Sequence, residues 1–192
     1  MPPALNPNVK RRLLLLAAVL STGMVPLGSA TLERLSMDDL IAKSTAIVRG
    51  QVTGSWAAFT GSIVYTHYQI QVAETFKGPA RNLVEIVVTG GSVNGIHQNF
   101  AGSPTLNTGD EFVFFLWTSK AGLTQIMGLT QGLFAVPRDG SSDPTATRRA
   151  SRELMLDPAT ARPVKDAALS LRLSDLRSRI ARTLAAGKGG GE

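Results

Sequence analysis

Residues 44 to 95 read STAIVRGQVTGSWAAFTGSIVYTHYQIQVAETFKGPARNLVEIVVTGGSVNG. Three β-patterned segments follow one another there at short intervals, the pattern of the front half of a small antiparallel barrel. In the first, Ala46, Val48, Gly50, Val52 and Trp56 are assigned to one face, and Arg49, Gln51 and Thr53 to the other, as in a half-buried strand. A turn at Thr60, Gly61 and Ser62 leads to a second strand. Its even positions Val64, Tyr68, Ile70, Val72 and Phe76 are mostly apolar, and its odd positions carry Tyr65, His67, Gln69 and Gln71. Glu74 breaks the alternation and predicts a bulge or a frayed rim. After Lys77, Gly78 and Pro79, Leu83 to Thr89 gives a third strand with Val84, Ile86 and Val88 together.

Working outward, Ser36 caps a short helix ending near Lys43, with Asp38 and Asp39 in its first turn, where carboxylates favour the positive helix end. On the other side, Gly90 to Gly109 is too long for an idle hairpin and predicts a functional loop or a flap. Glu111 to Trp117 is apolar on both faces, so it is a strand covered on both. Leu123 to Leu129 and Leu133 to Val136 supply the last strands, separated by a turn at Thr130, Gln131 and Gly132.

Beyond Pro137 the composition turns polar, and residues 138–166 read as an extended or partly disordered connector. Residues 167–186 follow as a C-terminal helix capped by Ser174, in which Leu176, Ile180 and Leu184 form the apolar face. Arg177, Arg179 and Arg182 are expected on solvated faces. Residues 187–192 are expected to be a disordered tail.

The N-terminus gives an address. Lys10, Arg11 and Arg12 precede an apolar run from Leu13 to Leu20, and Gly28, Ser29 and Ala30 close it, which is the layout of an export signal cleaved after Ala30. The apolar run is too short for the roughly 20 residues of a spanning helix, so no stable membrane span is expected after cleavage. The mature protein is expected in the periplasm or outside the cell, over residues 31–192, with a barrel domain at 31–137. It has no cysteine, so it must hold itself together by packing alone. Removing the basic leader takes the net charge from +6 to about +3, and the six basic residues between Thr31 and Pro137 are offset by seven acidic ones. A nearly neutral barrel without a dense basic stripe argues against nucleic-acid binding.

The order short helix, AIVRGQV, YQIQVAETFKGP, VEIVVTGGSVNG, GDEFVFFL, GLTQIMG and LFAVP, with a late amphipathic helix, resembles the tissue inhibitor of metalloproteinases and netrin-like families. It also resembles a family of uncharacterised exported bacterial proteins with the pattern AIVxGxV, FKG, GG and GxxxxxFL. The resemblance spans about residues 44–137. It implies a mainly β protein: a five- to six-stranded antiparallel OB-like barrel with a short N-terminal helix and a C-terminal amphipathic helix. The inhibitors of that superfamily act through a cysteine at the mature N-terminus, pinned by disulfides. Here Thr31 stands at that place, with nothing in the sequence to fix its geometry, so their inhibitory residues do not transfer.

Candidate chemistry is sparse. His67 and His97 are the only histidines, and zinc asks for three or four ligands, so no metal or cofactor site is expected. His97 with Ser92 or Ser103 and Asp110 assembles a triad on paper, without a nucleophile elbow to support it. Gly90, Gly91 and Gly95 lack the Lys and Ser or Thr of a phosphate loop. The strand face of Tyr65, His67, Gln69 and Gln71, together with Asn94, His97 and Asn99 in the long loop, is the candidate binding surface, since OB-type barrels often use that strand pair. The expected function is therefore an exported, non-enzymatic module that binds a protein or glycan of the cell envelope. A protease inhibitor and a hydrolase using His97 are the alternatives.

Overall fold

The computed structural model describes residues 30–188; residues 1–29, on which the expected export signal falls, and residues 189–192 of the expected tail lie outside the described residues. The chain opens with strand β1 (Thr31–Glu33) and helix α1 (Met37–Lys43), followed by the long strands β2 (Ala46–Thr60) and β3 (Ile63–Lys77). Next come β4 (Leu83–Thr89), β5 (Gly91–Val93), β6 (Ile96–Gln98), β7 (Glu111–Thr118), β8 (Thr124–Ile126) and β9 (Leu133–Ala135). The C-terminal part adds β10 (Thr145–Arg148), β11 (Leu154–Leu156), β12 (Pro163–Val164), β13 (Leu169–Arg172) and helix α2 (Leu173–Lys188).

Local chemistry accounts for the first elements. Ser36 and Asp39 form a reciprocal capping box at α1, which satisfies two otherwise orphaned amides. Lys77 closes the other end of that helix by donating to the Ile41 and Ala42 carbonyls at 2.7 and 2.9 Å. Gly61, at φ +63, supplies the positive φ that lets β2 reverse directly into β3.

The chain is mainly β, and its principal sheet has the order β13-β10-β9-β7-β2-β3-β4, with β8 also paired to β7. Strand β7 sits between two cores, as its doubly apolar sequence requires. Val113 and Phe115 face a core with Leu40, Ile41, Phe134, Leu176 and Ile180, under both helices. Phe114 and Leu116 face a second core with Val52, Tyr68, Ile70, Ile86 and Ile126.

The expected barrel does not close. The sheet is open and has eight strands rather than five or six. Its curl brings β4 beside β8, but no ladder joins them. β8 spans only three residues, which pair with β7. The connector expected at residues 138–166 instead carries three strands. β10 lengthens the main sheet, while β11 pairs β1 in parallel and β12 antiparallel. Ser174 is not the cap of α2 but lies in its first turn, where its amide and hydroxyl both donate to Asp143. Gly187 and Lys188 continue the helix.

Register shifts in the β2–β3 ladder change two face assignments, those of Trp56 and Phe76. Between Val52 and Gly54 the ladder skips Thr53, so Trp56 lies opposite His67 on the outer face, not with Val48 and Val52 inside. A one-residue slip reverses every side chain beyond it. The same ladder skips Ala73 next to Glu74, a bulge, which is one of the two readings of the broken alternation there. Beyond it Phe76, expected on the face of Tyr68, Ile70 and Val72, packs instead toward the helices, with the Arg177 guanidinium 6.0 Å from its ring centroid.

Gln131, fully buried, holds the N-terminal strand to this frame. It accepts from the Leu35 amide at 2.8 Å and donates to the Glu33 carbonyl at 2.9 Å. Gln131→Ala is expected to lower unfolding free energy by about 1–3 kcal/mol, the cost of stranding part-buried polar groups. Hydrogen exchange then gives the specific check: amides of Leu32 to Leu35 lose protection before the β2–β3 ladder does.

Candidate functional site

The outward face of β2, β3 and β4 is built in cross-strand rows. Trp56, His67 and Val87 form one row, Gly54, Gln69 and Glu85 the next, and Ala58, Tyr65 and Thr89 a third. The Trp56 and His67 rings stack with centroids 5.1 Å apart and planes 13° from parallel. His67 Nδ1 lies 2.8 Å from Glu85 Oε1, which fixes the imidazole orientation. The imidazole is mostly covered, and its Nε2 is buried without a hydrogen-bond partner. Trp56 itself remains 42% exposed. The result is an indole with one face stacked on a fixed imidazole while the residue as a whole stays well exposed.

Beside the indole lies a notch. A Cβ added at Gly54 would meet only Gln69 Oε1, at 3.9 Å. The missing side chain leaves a depression on the Trp56 face with the Gln69 amide at its edge. Gln71 donates to the Asn82 carbonyl, so its amide is partly committed to the turn below.

The long loop folds into a hairpin of β5 and β6, turned at Asn94 and Gly95, both at positive φ. Gln98 anchors it to the β2–β3 turn by accepting from the Val64 amide and donating to the Ser62 carbonyl. Asn94, His97 and Asn99 are exposed along this hairpin, and no hydrogen bond joins any of them to the β3 face. His97 Nδ1 lies 2.7 Å from Ser92 Oγ across the hairpin. Ser103 instead bonds Thr89, and Asp110 accepts from Asn107, so the triad drawn on paper is not assembled. Among the described residues, no three His, Asp or Glu side chains are grouped to hold a metal ion, and no helix is long and apolar enough to cross a membrane.

A second concavity, of about 1210 Å³, separates the end of the long loop from the segment after β10. Its floor includes Phe112, Leu133 and Val136, and Arg138, Arg149 and Arg152 stand along its walls. Sequence reading reached only the loop side, because the other wall comes from residues taken for a connector. Family models, characterised proteins and solved structures give no match to this chain. The two surfaces therefore stand on their own geometry.

Proposed function

We propose that the chain is an exported, non-enzymatic binding module, and that the Trp56 platform receives a glycan of the cell envelope. The observation that carries this reading is the exposed indole stacked on the fixed His67 ring. A flat apolar ring face suits the C–H face of a pyranose, and the Gln69 amide beside the Gly54 notch, with Glu85 in the same row, suits its hydroxyls. Stacking on a rigid aromatic costs little conformational entropy, which favours it as an anchor. The curled strands β2, β3, β4, β7 and β8 take the scaffold role that the OB-like resemblance implies.

Trp56→Ala is expected to weaken glycan retention by roughly thirtyfold, the effect of losing about 2 kcal/mol at an anchoring Trp. Gly54→Leu is expected to act similarly by filling the notch, with the fold intact because the space is open. An array of envelope oligosaccharides identifies ligands, and tryptophan fluorescence in a Trp117→Phe background then reports on Trp56 alone. Equal retention by the parent protein and both variants would overturn the reading.

One observation favours the protease-inhibitor alternative. Thr31 to Glu33, which no disulfide pins, is held as a strand by β11 and by Gln131. The geometry of that segment is therefore fixed, contrary to the expectation from a chain without cysteine. Slowing of zinc or serine proteases at micromolar concentrations by the chain beginning at Thr31 is its test.

A further inference from the structure

We infer that the split between β9 and β10 is a second binding site, independent of the Trp56 platform, which takes an acidic peptide in extended conformation by strand addition. The two strands share a single bridge, Thr147 to Ala135. The reasons the ladder stops lie on either side of it. Continued pairing would place Thr145 opposite Pro137, which has no N–H to give. In the other direction it would place Arg149 opposite Leu133, whose amide is turned to the Thr130 carbonyl at 3.3 Å. Past Arg148 the chain leaves the ladder, and the concavity opens in the resulting wedge.

The alternation of a strand then decides what the wedge presents. Val136 donates to Glu111 of β7, so Ala135 turns its main-chain groups toward β10 and Thr147 meets them. If the alternation of β10 is carried one residue further, the main-chain groups of Arg149 fall on the edge that faces the wedge. Arg149 has no backbone hydrogen bond to another strand. An extended peptide laid along this edge would satisfy it, and an apolar side chain of that peptide would meet Phe112, Leu133 and Val136.

Charge selects the peptide. Glu111 is engaged by Arg49 at 2.6 Å and by Arg138 at 3.6 Å. Asp110 accepts from the Asn107 amide and side chain, and Glu153 has partners of its own. Arg149 and Arg152 enter no ion pair among the described residues and are exposed. Each carboxylate of the groove already has a partner within the protein, while the Arg149 and Arg152 guanidinium groups are exposed and outside any ion pair among the described residues. The groups left to receive a ligand are cationic, so the complementary ligand is anionic.

The test uses the chain from Thr31 and a fluorescein-labelled peptide of alternating Val and Glu, eight residues long, read by anisotropy at low salt. Binding is expected in the micromolar range, weakened at least tenfold in Arg149→Glu/Arg152→Glu and unchanged in Trp56→Ala. A Val and Lys peptide of the same length is expected not to bind. Methylating alternate amide nitrogens of the Val and Glu peptide, on the edge that pairs, is expected to weaken it at least tenfold without altering its charge. Equal binding of the methylated peptide would mean adhesion by charge alone and would overturn strand addition. Absence of binding, or unaltered binding by the Arg149 and Arg152 variant with an unchanged circular dichroism spectrum, would overturn the site.

Discussion

Asp166→Ala is expected to lower the unfolding free energy by about 3–5 kcal/mol, the cost of leaving a buried partner charge unpaired. Asp166 and Arg148 are the most deeply covered ion pair of the described structure, with side chains 4% and 6% exposed and Oδ1 to Nη2 at 2.8 Å. Asp166 also accepts from the Ser151 amide, and Arg148 also donates to the Ala167 carbonyl. The pair therefore ties β10 to the loop before β13 and to the turn before β11. Without the carboxylate, Arg148 keeps one carbonyl, and its Nε has no partner even in the parent protein. Thermal unfolding should show a drop on the order of 10 °C, since each kcal/mol shifts a domain of this size by about 2–4 °C. The double substitution Arg148→Met/Asp166→Leu is expected to recover much of that loss, because a buried pair replaced by apolar side chains leaves no stranded charge. Failure of the double variant to exceed Asp166→Ala would mean that the pair's value lies in its backbone ties rather than in charge.

The same carboxylate gives a pH signature. Burial pushes Asp166 toward protonation, but the Ser151 amide and the Arg148 guanidinium outweigh it and hold the group below the ordinary carboxylate range. A folded-state value below the unfolded one means that its contribution is present above about pH 4, the unfolded value, and is lost as pH falls through the folded one. The stability gap between the parent and Asp166→Ala is thus expected to be constant at neutral pH and to narrow in acid. Chemical denaturation at pH 7, 4 and 3 reads that gap directly.

How far the sequence carries the fold depends on which physical signal each segment has. The capping box at Ser36, the β2–β3–β4 succession and the doubly apolar β7 are legible because each is a local pattern with one reading. Trp56 was assigned to the wrong face because alternation counts residues, and the skip at Thr53 is set by ladder geometry that no residue type announces. The segment after Pro137 misleads for the opposite reason. Its strands are two to four residues long, and Arg148, charged in sequence, is buried in the structure because Asp166 lies eighteen residues away. A buried arginine reads as solvated until its partner is known. The groove was hidden with it, while the Trp56 platform was half visible through His67 and Gln69. Gln131 is likewise silent in sequence: a turn glutamine gives no sign that it latches a strand about a hundred positions away.

Phe115→Ala is expected to cost about 3–5 kcal/mol, the range for removing a fully buried Phe from a packed core. Phe115 has no exposed surface and packs against Phe134 at 5.6 Å between ring centroids. Gly132 presses against it, so close that a Cβ there would lie 3.1 Å from the Phe115 Cβ. The backbone around the site is tied down as well: the Phe115 amide donates to Gly132, and its carbonyl accepts from Met127. Little collapse into the cavity is possible, which places the expected cost in the upper part of the range. The neighbouring Phe114 points into the other core, against Phe112, and shares no side-chain cluster with Phe115. The milder changes Phe114→Leu and Phe115→Leu are accordingly expected to add within about 0.5 kcal/mol, despite their adjacency in the chain. Urea unfolding of the two single variants and the double variant measures this. A coupling above about 1 kcal/mol would mean that the sheet transmits repacking from one face to the other, and that the helix side and the curled side of this protein form one mechanical unit.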